Sequence, residues 1–365
     1  MTAEKKTGKT AFVCDTEYQV FNALNYMWYH KDLKADLYLG LFFSRAGNLA
    51  AGMSNHHFFD RIVLTRPHFR KETEGKIHWY LRHATAYLLP KRTLKRDTVN
   101  REPVFFDYQQ IFTSSLNCYA VCLISVNQQA DVCFLDDGAG SYFSYDKQQS
   151  TSKLHRFFSK IFHAGAEGIV PDRVYLYSTR NARKHAKAEV LPLPKPTEDF
   201  LENVRELFGI SVSEGINDSW IWLTHPDALT ISTEQIDHGV KETLTRYQQK
   251  IIVRKHPRDD REELYRGFRI DESQGLWEIQ IPFYDMEKTV LIGTYSTAQM
   301  TPKLLYDMEP RVIILCRLYK SVYKEGLFEK IVQASLEFRD LYRDKTRVMI
   351  PENFEELGAL LQQLS

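Results

Sequence analysis

Ile251-Ile252-Val253-Arg254-Lys255-His256-Pro257-Arg258 decides how the chain is to be read. Three β-branched residues in a row, stopped abruptly by charge, predict a short buried strand that delivers its last residues to a sheet edge. Pro257 cannot donate to a ladder, so it ends the strand and fixes the backbone just after His256. What emerges is an imidazole flanked by Lys255 and Arg258, a poor arrangement for stability and a good one for holding a phosphate. A His-Pro pair alone reads as a surface turn, so its weight comes from the other loops of the chain.

Outward from that strand, the same rhythm of short apolar run and amphipathic helix recurs in both directions. Strands are predicted at 11–14, 36–43, 61–65, 107–113, 131–135 and 173–177, then at 220–223, 250–253, 289–292 and 311–315. Asp15-Thr16-Glu17 is an N-cap signature for a helix running to about Tyr29. Further helices are expected at 47–60, at 76–89 where Pro90 stops one, and at 197–208, 233–249, 302–308, 327–342 and 352–364. The proline-rich Leu191-Pro192-Leu193-Pro194-Lys195-Pro196 is the best linker candidate. The expectation is an α/β chain of two Rossmann-like, doubly wound domains, 11–192 and 193–350, facing a central cleft, with 351–365 as a closing helix. A ligand site is expected in that cleft, at the carboxyl ends of the strands.

Composition narrows the function. With 365 residues, 43% hydrophobic and 26% charged, the chain has room for two ordinary cores. A formal charge of +1 argues against a dedicated nucleic-acid binder. Cys14, Cys118, Cys122, Cys133 and Cys316 form no paired framework or zinc spacing and read as reduced packing residues of a cytoplasmic protein. Met1 to Thr10 is polar rather than a signal peptide, and no apolar run reaches the ~18 residues of a spanning helix. The expected location is the cytoplasm, or the inner face of a membrane as a peripheral protein.

Three more strand-end loops carry chemistry. The strand at 131–135 ends in Asp136-Asp137-Gly138-Ala139-Gly140, two adjacent carboxylates on a turn that a ligand's backbone-close approach would suit. In such a pair one carboxyl can be pushed up in pKa and act as a base near neutrality. Thr224-His225-Pro226 follows the strand at 220–223 and offers a hydroxyl and an imidazole to a nucleotide. Gly293-Thr294-Tyr295-Ser296-Thr297 leads into a helix whose free N–H groups and hydroxyls make a phosphate seat.

In order, Thr16-Glu17-Tyr18-Gln19, Asp136-Asp137-Gly138, Leu223-Thr224-His225-Pro226, Lys255-His256-Pro257-Arg258 and Ser296-Thr297 resemble the bacterial sialyltransferases, in particular glycosyltransferase family 52, which includes the lipooligosaccharide sialyltransferases. The resemblance covers residues from about 11 to about 345 and rests on order and spacing. It implies a GT-B fold, an acceptor-side first domain and a CMP-donor-binding second domain. It also implies inverting transfer of N-acetylneuraminic acid from CMP-Neu5Ac to a terminal galactoside of a bacterial surface glycan, α2,3-linked first, without a cofactor or metal. By motif, His256 would bind the CMP phosphate and assist its departure, and Asp136 would deprotonate the acceptor. Thr224, Lys255, Pro257, Arg258, Gly293, Ser296 and Thr297 would line the donor site, and Thr16, Tyr18, Gln19, Asp137 and Gly138 the substrate side. Two departures stand out: His225 replaces a more usual Gln, and Ile281-Pro282-Phe283-Tyr284 lacks an expected Glu. Glu234 is an alternative base.

Two rival functions share these residues: a GT-B enzyme using another sugar nucleotide such as a UDP-hexose, and a non-catalytic nucleotide-sugar or glycan-binding protein. Partners are thus a sugar nucleotide and a galactoside glycan, with membrane contact and a homodimer left open. The basic, aromatic stretches 153–163 and 66–96, the latter with Trp79-Tyr80 in its middle, are candidate lipid- or glycolipid-facing surfaces, and His56-His57 and Trp79-Tyr80 are candidate acceptor-cleft pairs.

Overall fold

The computed structural model describes residues 9–66, 85–86, 88–104, 106–142, 169–180, 188–212, 216–225, 231–273, 275–323 and 326–365. The aromatic pair Trp79-Tyr80, the stretch 153–163, Pro226 and most of the helix expected at 76–89 lie outside them. The chain forms two compact units, one of Met1–Asp137 with Ser144–Leu207, the other of Gly138–Phe143 with Phe208–Ser365.

Unit 1 is built on seven strands: β1 (Lys9–Cys14), β2 (Ala35–Gly40), β3 (Arg61–Thr65), β4 (Tyr108–Thr113), β5 (Asp131–Leu135), β6 (Arg173–Leu176) and β7 (Glu189–Pro192). Their order is β3-β2-β1-β4-β5-β6-β7, and every pairing is parallel. Helices α1 (Glu17–Tyr29), α2 (Ala46–Asn55), α3 (Pro90–Asp97) and α4 (Cys118–Val126) connect the strands; the short α5 (Ala139–Tyr142) belongs to unit 2, and α6 (Glu198–Leu207) closes unit 1. Phe12 is fully buried and stacks on Phe112 at 4.7 Å, worth about 2–3 kcal/mol of burial per ring. The proline-rich stretch is not all linker: Leu191 and Pro192 lie in β7, an edge strand. At an edge one face of the ladder needs no donor, which is where a proline is tolerated. Pro90 likewise opens α3 at its first turn, where its missing N–H costs nothing.

Unit 2 repeats the plan with six parallel strands in the order β10-β9-β8-β11-β12-β13. They are β8 (Trp220–Leu223), β9 (Ile251–Arg254), β10 (Arg269–Ile270), β11 (Val290–Gly293), β12 (Arg311–Ile314) and β13 (Val348–Met349). Helices α7 (Ile231–Thr245), α8 (Trp277–Gln280), α9 (Thr297–Tyr306), α10 (Leu327–Arg339) and α11 (Phe354–Leu364) cover it. Leu357 and Leu361 of α11 join the core of Trp222, Val240, Val253 and Ile292, so the last helix is part of this unit. The helix expected to open at Pro302 opens instead at Thr297, with Pro302 inside it. Pro302 has no N–H for the Ala298 carbonyl one turn back; the Trp277 indole N–H donates to that oxygen at 3.0 Å.

In both sheets the first strand sits centrally, with the next two on one side and the fourth on the other. That order creates a switch point, between β1 and β4 in unit 1 and between β8 and β11 in unit 2, where connections diverge at the carboxyl edge. Among the described residues no helix is long and apolar enough to cross a membrane.

Candidate functional site

The carboxyl edge of unit 1 gathers carboxylates that accept from uncharged donors among the described residues. Thr16 caps α1, its hydroxyl accepting the Gln19 N–H at 3.2 Å. The Gln19 amide oxygen accepts the Asp15 N–H at 2.7 Å, a close relative of the reciprocal capping box. Its other end, Nε2, donates to Asp137 Oδ1 at 3.0 Å. The Tyr18 hydroxyl donates to Asp136 Oδ1 at 3.1 Å, and Asn22 Nδ2 to the Asp136 carbonyl at 2.8 Å. Asp136 Oδ2 accepts the Tyr177 N–H at 3.5 Å, and the Tyr177 hydroxyl donates to Asn22 Oδ1 at 2.7 Å. Asn117, the N-cap residue of α4, donates to Asp15.

The two adjacent carboxylates differ. Asp136 is 1% exposed and enclosed, whereas Asp137 is half-buried. Burial pushes the Asp137 carboxyl up to about 6, against the hydrogen bond from Gln19 and reinforced by the charges of Asp136 and Asp15. Gly138 follows with φ +81, and a Cβ there would lie 2.3 Å from Thr297 Cγ2. The turn therefore requires glycine on both counts. Next to it the Ala139 N–H donates to Thr297 Oγ1 at 3.0 Å, within unit 2.

The carboxyl edge of unit 2 is the one the opening motif predicts. Leu223 pairs with Arg254, so the residues after β8 and β9 run on side by side. Thr224 knits the two loops: its N–H donates to the Arg254 carbonyl at 3.1 Å, and its Oγ1 accepts the His256 N–H at 2.8 Å. His256 Nδ1 accepts the Arg258 N–H at 3.1 Å, which places the proton of the neutral ring on Nε2 and makes that atom a donor. Lys255 is half-buried with its ammonium 4.0 Å from Glu262, while Pro257 and Arg258 are exposed. Across the switch point, Gly293 ends β11; a Cβ there would sit 3.1 Å from the Leu223 carbonyl. Ser296 is the N-cap residue of α9 with no side-chain bond to the helix, and its Oγ is buried without a partner among the described residues.

Thr16, Tyr18, Gln19, Asp136 and Asp137 thus come together in unit 1, and Thr224, Lys255, His256, Pro257, Arg258, Gly293, Ser296 and Thr297 line one sheet edge in unit 2, with Gly138 against Thr297. Glu234 is exposed in the first turn of α7, apart from the strand-end loops in sequence. His56 and His57 are exposed at the end of α2. The motif reading passed over Asn22, Asn117 and Tyr177, whose roles depend on long-range pairing that leaves no local signal. It also passed over Asp237 and Arg261 behind the Thr224 loop.

No family model and no curated protein sequence matches the chain. Solved structures do share its fold. A calicheamicin glycosyltransferase aligns over 98% of this chain and 90% of its own, with TM-score 0.54 and 6% identity. The glycotransferase of kitacinnamycin aligns over the same shares with TM-score 0.53 and 8% identity. The spinosyn forosaminyltransferase covers 98% of this chain and 90% of its own, with TM-score 0.50 and 11% identity. At such identities the likeness is one of fold: α/β, with the two Rossmann-like units of the GT-B class.

Proposed function

We propose that the protein is a glycosyltransferase that takes its sugar from a sugar nucleotide bound at the carboxyl edge of unit 2. The observation that carries this reading is the β8–β9 edge. There His256 is held by its own loop as an Nε2 donor, between Lys255 and Arg258 and beside the Thr224 hydroxyl. A nucleotide's phosphate is the ligand such an edge suits, and neutralising it is what lets it leave the sugar. Ser296 and Thr297, at the first turn of α9, would add donors to the same phosphate.

In the transfer, the acceptor oxygen forms a bond to the anomeric carbon as the bond from that carbon to the phosphate oxygen breaks. The phosphate leaves with the electron pair, and the acceptor's proton passes to a carboxylate. The Asp136-Asp137 pair supplies that carboxylate. Asp136 is the residue the motif names, but its oxygens are enclosed by Tyr18 and Tyr177. Asp137, half-buried and pushed to about 6, is in the better state to take a proton near neutrality. Asp136→Asn, Asp137→Asn and Glu234→Gln, assayed together, separate the three candidates.

For the donor, a sugar nucleotide other than CMP-sialate, such as a UDP-hexose, stands first, because the structures of like fold named above are glycosyltransferases of calicheamicin, kitacinnamycin and spinosyn. CMP-Neu5Ac with a galactoside acceptor is the second reading, favoured by the ordered set from Thr16 to Thr297. A panel of UDP-hexoses and CMP-Neu5Ac, each with and without lactose and with and without EDTA, tests both by nucleotide release. Acceptor-dependent release from one donor identifies it. Nucleotide binding without any turnover across a broad acceptor set would leave a binding protein and refute the enzyme.

A further inference from the structure

One surface of unit 1 takes no part in the proposed transfer: the outward face of α3 and the two leucines before it. It is the described end of the basic stretch 66–96. α3 reads Pro90-Lys91-Arg92-Thr93-Leu94-Lys95-Arg96-Asp97. Thr93 and Leu94 are buried, and Leu94 joins the core with Tyr119 and Cys122 of α4. At 3.6 residues per turn, turning that pair inward turns Lys91, Arg92, Lys95 and Arg96 outward, and all four are exposed. Of these, only Arg96 pairs with an acid among the described residues, Asp97 at 2.8 Å. Lys91 lies over the Phe106 ring, 5.6 Å from its centroid. A chain with 48 basic and 47 acidic residues thus sets four cations against one acid on a single short helix.

The second observation is apolar. Leu88 and Leu89, immediately before the cations, are 56% and 47% exposed. With Lys91 and Arg92 they line one side of an open cleft of about 710 Å³, whose other side is Ser125 and Val126 at the end of α4. A single exposed leucine needs no explanation, but two together beside a row of cations do. A soluble polyanion would use the cations and leave the leucines in water. An apolar protein surface would cover the leucines and strand the cations. An anionic bilayer suits both, with phosphates at its surface and hydrocarbon a few ångströms beneath.

We propose that this face of unit 1 is a docking surface for an anionic phospholipid bilayer. Lys91, Arg92, Lys95 and Arg96 meet headgroup phosphates, and Leu88 and Leu89 enter the boundary between headgroups and acyl chains. The long stems of the cations let their charged ends reach the phosphates while the leucines sit deeper. α4 follows β4 and precedes the parallel β5, so the cleft at its end lies at the amino edge of the sheet. The leucines therefore enter the bilayer at the edge away from Asp136 and Asp137. The inference stands without the nucleotide reading, because vesicle binding is measured without turnover.

Co-sedimentation of the full chain with vesicles tests it, using phosphatidylcholine alone and phosphatidylcholine mixed with phosphatidylglycerol. Wild type is expected to bind the mixed vesicles about tenfold or more tighter than the neutral ones, and to lose that binding as salt rises. Each cation removed should cost about fivefold, so Lys91→Gln with Arg92→Gln and Lys95→Gln should cost about a hundredfold. Leu88→Ser with Leu89→Ser should cost about tenfold or more with every cation in place. All five side chains are exposed, so unchanged melting temperatures are expected of both variants. Equal binding of wild type to the two vesicle types, or undiminished binding of the triple variant, would overturn the inference. Vesicle binding that the leucine substitutions leave unchanged and that soluble heparin matches would overturn it in favour of a soluble polyanion.

Discussion

Asp137→Asn should stabilise the protein near neutrality and not in acid. The Asp137 carboxyl is moved from 3.8 up to about 6, first by burial, with Asp136 and Asp15 adding to it and the Gln19 hydrogen bond opposing. Between those two pH values the folded chain keeps a proton that the unfolded chain has released. Stability contributed by this group is therefore full below 3.8, falls as pH rises, and is gone above about 6. The displacement corresponds to about 3 kcal/mol as a ceiling. Asp137 is part-exposed, so solvent screening reduces the expected gain to about 1–2 kcal/mol. Asparagine keeps an oxygen to accept from Gln19 Nε2 and removes the charge, which isolates the electrostatic part. Urea unfolding of both proteins, at about pH 4 and about pH 8, reads the difference. The gap should be near zero in acid and favour the variant at the higher pH. A variant less stable than wild type at about pH 8, or a gap that does not change with pH, would refute the burial argument. A gain in stability coupled to lost turnover would mark a carboxylate retained for chemistry rather than for folding.

His256→Ala should lower turnover about a hundredfold or more, the usual scale for a group acting on a leaving phosphate, while the melting temperature stays within a degree or two; unchanged kcat would remove it from the reaction. Gly138→Ala should cost about 2–4 kcal/mol in urea unfolding, from its positive φ, the Thr297 clash and the Ala139 N–H bond to Thr297 that the clash would disturb. Gly326→Ala, with φ +76 and open space around it, should cost only the backbone part, about 1–2 kcal/mol. Glu309→Ala should cost about 1–3 kcal/mol, because it takes one of two carboxylates from buried Lys303, which keeps Asp307 at 2.6 Å. Burial would raise the Glu309 carboxyl, but Arg343 and Lys303 pull it down to about 2, so its contribution is present above 4.5 and lost on acidification toward 2. An acid titration in which wild type and variant converge only near the bottom of that window checks the sign.

The strand-end motifs were legible because each combines a short apolar run with a residue that stops it. β5 and β8 begin and end where periodicity puts them, and β9 and β11 are displaced by one residue. β10 and β13, two residues long each, carry no periodic signal at all. Prolines misled twice, in β7 and in α9. Local propensity speaks for a linker or a helix start, and a sheet edge or a distant indole decides otherwise. Asp237 is one more polar residue on a helix until folding sets it against Arg261, Tyr319 and His225. Its burial is a tertiary fact, and no spacing in the sequence encodes it.

Buried carboxylates in this protein divide by the kind of donor that meets them. Asp36, 0% exposed in β2, receives Lys9 at 2.8 Å, Arg61 at 2.6 Å and the Tyr108 hydroxyl at 2.6 Å. Burial alone would raise it, but those partners, two of them cations, hold it below the ordinary value. Such a group is fixed in its ionised form and unfit to exchange a proton near neutrality. At the carboxyl edge of the same sheet Asp15, Asp136 and Asp137 accept, among the described residues, from the amides of Asn117 and Gln19, the Tyr18 hydroxyl and the Tyr177 N–H. Neutral donors orient a carboxylate without anchoring its charge, and three acids close together oppose full ionisation. Burial pushes the Asp137 carboxyl up, and the neutral Gln19 amide opposes that push less than the cations do at Asp36, so Asp137 can gain and lose a proton near neutrality. Introducing a cation there, as in Gln19→Lys, should pull Asp137 back toward its ordinary value and abolish the stabilising effect of Asp137→Asn at about pH 8. Persistence of that effect in the Gln19→Lys background would show that desolvation alone sets the state of the site.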